Sequence, residues 1–228
     1  MALESKIATA SALLARIQDQ FSPATFACSL GAEDMVLLDL IARHAPGISI
    51  FSLDTGRLNP ETYDLLAKVQ ETYGQTVAIH VFYPQTDAIE HYVATNGINA
   101  FYRSVELRKT CCGIRKVEPL KRALAGKAAW ITGMRRQQAI TRANMAEQEF
   151  DPEHQLQKFN PLAAWTEKEV WDYIRSQGVP YNALHDQHYP SIGCAPCTRS
   201  IAVGEDVRAG RWWWEDESGR ECGLHVKK

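Results

Sequence analysis

The chain has 228 residues, 45% of them hydrophobic, a net charge of −2 and six cysteines. That is enough apolar material for one α/β domain with a short appendage, and no run approaches the roughly 20 apolar residues of a membrane span. The N-terminus, Met-Ala-Leu-Glu-Ser-Lys-Ile, lacks the basic-then-apolar order of a signal peptide. A cytoplasmic protein is therefore expected, in a compartment where clustered cysteines more often bind metal or react than pair as disulfides.

Apolar residues at Leu3, Ile7, Leu13, Leu14 and Ile17 predict an amphipathic first helix over 3–19. Ala24 to Leu30 reads as a buried strand, followed by Gly31-Ala-Glu-Asp34 and a Met-, Val- and Leu-rich helix to His44. Gly47 to Leu53 is a second strand ending in Asp54-Thr55-Gly56. Asn59-Pro60-Glu61 then opens a helix to about Tyr73, with Asn as cap and Pro in the first turn. A third strand is expected from Thr76 to Phe82 and a helix from Thr86 to Thr95, with a less regular segment leading to Cys111-Cys112. Gly113 to Ala125 looks helical, with Pro119 as a kink, and Ala128 to Thr132 is a fourth strand ending in Gly133-Met-Arg-Arg136. A short fifth strand is expected from Gln155 to Phe159, and Thr166-Glu-Lys-Glu169 has capping-box character at the head of a helix to Gln177. From Gly178 onward the composition is that of loops.

Strands alternating with helices predict an α/β fold, a mainly parallel open sheet with helices on both faces, followed by a loop-rich C-terminal segment. Ligands of such folds bind beyond the carboxyl ends of the strands. The turns there, at Ser29–Gly31, Asp54–Gly56 and Gly133–Arg136, would converge on one crevice. Each alone reads as an ordinary strand-to-helix turn; their shared placement favours a nucleotide site. Ser29 to Asp34 lacks the Gly-Lys-Ser/Thr of a Walker loop.

Charge is unevenly spread. Arg103 to Arg142 carries eleven Lys or Arg against two acids, nine positive in balance, which leaves the rest of the chain at −11. A solvated basic face is the plain explanation. Because the block contains Cys111 and Cys112, an anion site beside a metal is preferred, and a nucleic-acid surface is not expected at a pI of 6.4.

The cysteines fall into a vicinal pair, Cys111-Cys112, and a C-x-x-C, Cys194 and Cys197. Two C-x-x-C pairs would suggest a structural Cys₄ zinc site. Neighbouring side chains on a helix diverge by about 100°, which suits one small ion poorly. An iron–sulfur cube offers a separate corner to each thiolate, so [4Fe–4S] is favoured and zinc is the alternative. His185 and His188 are weaker candidate ligands. Cys28, inside the first strand, reads as a core residue, and Trp212-Trp213-Trp214 as packing for the segment that carries the tail, with an exposed interaction patch as the alternative. Cys222, solitary near the C-terminus with His225 beside it, is a candidate nucleophile.

These motifs together resemble the assimilatory adenylyl-sulfate (APS) reductases, relatives of the phosphoadenylyl-sulfate (PAPS) reductases in the PP-loop, adenine nucleotide alpha-hydrolase-like superfamily. The resemblance runs from Thr25 to the end. It rests on Ser29–Asp34, Leu53–Thr62, Lys109–Leu120, Thr132–Gln138, Tyr189–Thr198 and Glu221–His225. PAPS-only members lack both cysteine pairs, so the resemblance implies APS as substrate and a [4Fe–4S] cluster on Cys111, Cys112, Cys194 and Cys197. It implies that Cys222 is the catalytic nucleophile and that Lys116 lies between cluster and sulfate. Ser29, Gly31, Asp54 and Gly56 would line the nucleotide crevice. Arg135, Arg136 and Arg142 would belong to an arginine loop that meets the substrate, and Arg208 and Arg211 would hold the phosphosulfate. The Ser-Leu-Gly turn departs from the Ser-Gly-Gly-x-Asp-Ser of ATP-cleaving PP-loop enzymes, as suits an enzyme that does not split pyrophosphate. The implied division is a reductase domain over 1–204 and a substrate-contacting segment with catalytic tail over 205–228. The implied partners are APS, a thioredoxin or glutaredoxin-like reductant and further copies of the chain, with no nucleic acid or membrane. Reduction of PAPS, alone or with APS, is the alternative activity, and a zinc-stapled RNA-binding or RNA-modifying protein is a remote one.

Overall fold

The computed structural model describes residues 2–138 and 142–215. The chain divides into two compact units, one drawn from residues 1–52, 61–80 and 124–182, the other from 53–60, 81–123 and 183 onward.

The first unit holds a six-stranded sheet. In chain order the strands are β1 (Ala24–Ala27), β2 (Ser49–Leu53), β3 (Ile79–Phe82), β4 (Ala129–Ile131), β5 (Gln148–Asp151) and β6 (Leu156–Phe159), and across the sheet they run β3-β2-β1-β4-β6-β5. β1 pairs in parallel with β2 and β4, and β4 with β6; the β5–β6 pair is antiparallel. This is the mainly parallel sheet with helices that alternating elements predict.

Its core is organised by α2 (Ala32–His44), in which Met35, Val36, Leu37, Leu38, Leu40 and Ile41 are all fully buried. A helix apolar on every side has no solvent face to spare. α2 packs against α1 (Leu3–Gln20), whose stripe is Ala10, Leu13, Leu14 and Ile17, and against α7 (Glu167–Gln177). Each buried Leu or Ile contributes about 1.5–3 kcal/mol. The capping box at α7 forms as expected. Glu169 N–H donates to Thr166 Oγ1 at 3.2 Å, Thr166 N–H donates to Glu169 Oε2 at 2.7 Å, and Gly178 ends the helix at φ +64°. One carboxylate sits inside the core: Asp39 accepts from Tyr73 at 3.0 Å, Tyr173 at 2.6 Å and Arg43 at 2.8 Å, so its burial is offset by three donors.

Three expectations need correction. β5 was not expected; Gln-Glu-Phe-Asp has no apolar face, and this edge strand forms through its backbone ladder to β6. β3 starts at Ile79, because Thr76 and Val77 both donate to the Tyr73 carbonyl and close α3 (Pro60–Tyr73). The approach to the cysteine pair is irregular only as far as Ser104, through a 3₁₀ turn at Ala100–Tyr102, and then helical over Val105–Cys112.

That approach belongs to the second unit and follows its helix α4 (Thr86–Asn96). Ser104 Oγ accepts from Leu107 N–H at 3.2 Å and caps α5 (Val105–Cys112). α5 passes through a π-turn, Gly113–Val117, into α6 (Glu118–Leu124). Pro119 brings no N–H for the carbonyl one turn back, and the wider π-turn precedes it where a kink was expected. Among the described residues no helix is long and apolar enough to cross a membrane.

Candidate functional site

In the second unit the two cysteine pairs come together. Cys111 and Cys112 close α5, and with Cys194 and Cys197 they line one small cavity. Arg57, Arg108, Arg115 and Lys116 share its wall, with Phe101 and Pro196. His185 and His188 do not line it.

The C-x-x-C segment is a 3₁₀ turn, Ala195–Cys197, fixed from several sides. Cys197 N–H donates to the Cys194 carbonyl at 2.9 Å, and Ala195 N–H donates to the Arg57 carbonyl at 2.8 Å. Tyr102 donates its hydroxyl to the Pro196 carbonyl at 2.6 Å, and Trp212 N–H reaches the Cys197 carbonyl at 3.2 Å. Thr55 Oγ1 lies 3.2 Å from Cys194 Sγ.

The Asp54–Gly56 turn serves the same cavity. Gly56 N–H donates to Asp54 Oδ1 at 2.7 Å with Gly56 at φ +69°, a conformation glycine adopts without strain. Arg115 Nη1 donates to the Thr55 carbonyl at 2.5 Å, and Arg57 reaches Ile98 O and Asn99 Oδ1 while lying over the Phe101 ring. Sequence reasoning gave Arg57, Arg108 and Arg115 no role and Thr55 none of its own. Arg57 and Arg115 lie inside the quoted stretches Leu53–Thr62 and Lys109–Leu120, where nothing local marks either as part of the site.

None of the described cysteines is in a disulfide. Burial pushes the Cys111 thiol up, with Arg115 opposing and Cys194 adding to the rise. Cys197 is pushed up to about 12, by burial first and then by Cys194, against the pull of Lys116. Crowded, buried thiols of this kind stay protonated until something cationic draws off their protons. No three His, Cys, Asp or Glu side chains among the described residues have the spacing for a single metal ion. The four thiols are instead spread around a cavity ringed by cations. That donor set suits a multinuclear cluster of net negative charge, with one thiolate at each corner.

Arg211 is buried beneath the C-x-x-C segment, where its Nη1 lies 3.3 Å from both Ser191 Oγ and Ile192 O. Arg208 is half-buried, in a turn where its N–H donates to Asp206 Oδ1 at 2.8 Å. Trp212 is buried, with the guanidinium carbons of Arg108 and Arg211 each 4.7 Å from its ring centroid, and the Trp214 and Tyr102 ring centroids are 4.5 Å apart. Trp212 and Trp214 thus pack into this unit, as expected of them, while Trp213 is exposed. Cys222 and His225 lie outside the described residues.

The remaining site candidates belong to the first unit. After β1, Leu30 takes φ +64° and Gly31 caps α2. Ser29 N–H and its hydroxyl both donate to Asp34 Oδ2 at 2.6 Å. Burial raises the Asp34 carboxyl to about 7, with the Ser29 hydrogen bonds opposing. After β4, Arg135 pairs with Glu33 at 2.7 Å. Its Nη1 is buried with no partner among the described residues, a donor suited to a ligand oxygen. Arg136 Nε donates to the Met145 carbonyl, and Arg142 Nη1 to Gln138 Oε1 at 2.6 Å. Cys28 is buried and its thiol pushed well up by that burial, in keeping with a core role.

The profile of the phosphoadenosine phosphosulfate reductase domain matches residues 23–200. An adenosine 5'-phosphosulfate reductase of Burkholderia cepacia is 54% identical over 98% of this chain and 89% of its own length. One of Allochromatium vinosum is 54% identical over 99% of this chain and 88% of its own. Among solved structures, a phosphoadenylyl-sulfate reductase of Candida auris superposes with a TM-score of 0.72 at 27% identity, covering 87% of this chain and 96% of that one. The FMN adenylyltransferase of Candida glabrata shares the fold at a TM-score of 0.60 and 14% identity, covering 96% of this chain and 77% of its own. With its α/β sheet, its paired cysteines and relatives matched over nearly their whole length, the chain belongs to the phosphoadenosine phosphosulfate reductase family.

Proposed function

We propose that this protein reduces adenosine 5'-phosphosulfate to sulfite and AMP in sulfate assimilation, using electrons from a thioredoxin-like dithiol protein in the cytoplasm. The observation that carries this reading is the convergence of Cys111, Cys112, Cys194 and Cys197 on one cavity walled by four cations, in a chain so close to named APS reductases.

In the proposed sequence the Cys222 thiolate attacks the sulfate sulfur. The S–O bond to the phosphate breaks, AMP leaves with that electron pair, and an S-sulfocysteine remains on the enzyme. A thiolate of the dithiol protein then attacks Cys222 Sγ, and sulfite departs with the electrons of the broken S–S bond. The second thiol of the partner resolves the mixed disulfide, so the partner is oxidised and Cys222 is returned. The four cysteines would hold a [4Fe–4S] cluster, which when bound supplies a fixed charge distribution beside the substrate. Lys116, on the cavity wall, would stabilise the negative oxygens of the phosphosulfate. Ser29, Gly31, Asp54 and Gly56 would line the nucleotide site. The buried free donor of Arg135 supports an anionic ligand there, and Arg136, Arg142 and Arg208 would add charge. Packed as it is beneath the C-x-x-C segment, Arg211 would position the cluster ligands as well as attract the anion. Residues 205–228 would act as substrate-contacting segment and tail.

The test is Cys222→Ser. It should keep APS binding, iron and acid-labile sulfide, and lose sulfite release; normal turnover by this variant would overturn the mechanism. The family name and the Candida auris relative favour a second reading, reduction of PAPS, which side-by-side turnover of the two nucleotides at equal concentration decides.

A further inference from the structure

The N-terminus of α2 carries its own anion. A helix start after a parallel strand is ordinarily a place where backbone N–H groups and the helix dipole can hold a phosphate. Here Asp34, in the first turn of α2, reaches back so that Oδ2 lies 2.6 Å from both Ser29 N and Ser29 Oγ. The same carboxylate takes a backbone hydrogen bond from Gly133, in the turn after β4. The fit there is close: a Cβ on Gly133 would come to 2.0 Å from Asp34 Oδ1. Asp34 is only 7% exposed, and beside it Glu33 holds a second carboxylate paired to Arg135 at 2.7 Å.

Ser29 N–H, the Ser29 hydroxyl and Gly133 N–H are therefore spent on an internal carboxylate that fills the space between two turns. A further phosphate would have to displace Asp34 or lie against two carboxylates in a poorly solvated place. Like charges held in low dielectric repel strongly, and discrimination between ligands is often achieved by such repulsion.

We infer that Asp34 is a specificity-determining residue that keeps polyphosphates, pyrophosphate and nucleoside triphosphates alike, out of the turn between β1 and α2. This rests on the reading of that turn as part of the nucleotide site. The substrate of that reading brings one phosphate and one singly charged sulfuryl group, less negative charge than a pyrophosphate or a triphosphate would bring against the filled turn. A nucleoside triphosphate with the same base and ribose would place extra phosphates on a surface already occupied.

The test compares the parent protein with Asp34→Ser and the near-isosteric Asp34→Asn at pH 8, where the Asp34 carboxylate is ionised. The probes are AMP and magnesium-free inorganic pyrophosphate, titrated calorimetrically, with circular dichroism as the check on folding. The quantity read is the ratio of pyrophosphate affinity to AMP affinity. Asp34→Ser, which removes both charge and bulk, should raise that ratio at least tenfold. Asp34→Asn, which removes only charge, should raise it about threefold and keeps the test decisive where the serine variant does not fold. A folded variant whose ratio stays within twofold of the parent overturns the inference and leaves Asp34 as a helix cap. A parent that binds no AMP overturns the reading of the nucleotide site itself, and the inference with it.

Discussion

Arg108 and Glu215 form a two-point ion pair in the interior of the second unit. Nε lies 2.9 Å from Oε1 and Nη2 lies 2.8 Å from Oε2, with the side chains 1% and 4% exposed. Arg108 sits on the same helix as Cys111 and Cys112, and its guanidinium also lies over the Trp212 ring, as does that of Arg211. Two buried cations on one indole need a nearby anion, and Glu215 supplies it. The pair thus ties the cysteine helix to the last described residues of the chain.

Glu215→Ala should therefore be costly, because it leaves the Arg108 charge buried and uncompensated. A loss of about 3–5 kcal/mol is expected, which at about 2–4 °C per kcal/mol is roughly 6–20 °C in Tm. Replacing both partners with apolar residues, Arg108→Met with Glu215→Leu, should cost much less than the single change. Denaturant unfolding of the three variants measures this; a single variant no less stable than the double would show the pair to be unimportant.

Asp34 makes stability depend on pH. Its carboxyl titrates near 7 in the folded protein and near 3.8 as its ordinary value, the rise being due first to burial. Between those values the unfolded chain has already lost the proton that the folded one retains. Stability therefore falls as pH rises from about 4 to about 7 and is flat on either side as far as this group is concerned. At about 1.4 kcal/mol per pH unit the whole effect is on the order of 4 kcal/mol as an upper limit. Asp34→Asn should remove this slope, so the variant gains on the parent with rising pH. Urea unfolding at pH 5, 6, 7 and 8 reads the difference; parallel curves for the two proteins would contradict it.

The cysteine cavity predicts a proton signature. Burial keeps the thiols of Cys111 and Cys197 protonated at neutral pH in the metal-free protein, and ligation requires thiolates. Reconstitution with iron and sulfide should therefore release at least these two protons per chain and slow markedly from pH 8.5 to pH 6.5. Cys197→Ser should lose most of the iron and sulfide. Uptake of iron with no proton release into a weakly buffered solution would be incompatible with these thiols as ligands.

Much of this was legible in the sequence, for identifiable reasons. The apolar run Met35 to Leu38 and the buried strands around it announce a parallel core, because burial on both faces selects mostly apolar residues. The cysteine spacings announced a shared site. β5 was not legible, since Gln148-Glu-Phe-Asp151 is held by ladder hydrogen bonds that any residues can make. The start of α5 was hidden because Val105 to Lys109 is dominated by polar and charged side chains, and its cap is a lone serine. The roles of Thr55, Arg57 and Arg115 depend on carbonyls and a thiol distant in sequence, which no local pattern encodes.

Arg211 illustrates how a motif can name a residue without giving its whole task, and Gly193 offers the test. A Cβ at position 193 would lie 2.5 Å from Arg211 Nη2 and 2.7 Å from its Cζ. A guanidinium can usually swing aside, but this one lies against the Trp212 ring and is held at Ser191. The strain must pass into the turn that carries Cys194 and Cys197. Gly193→Ala should therefore cost about 1–3 kcal/mol, the usual range for overpacking, and lower the iron retained per chain. Arg211→Ala would remove the obstacle, so adding Gly193→Ala to it should cause little further loss. Residues in direct contact show such non-additivity, and separate sites do not. Iron per chain and the urea midpoint of the two single variants and the double decide the matter: strictly additive losses would mean that Gly193 and Arg211 act independently.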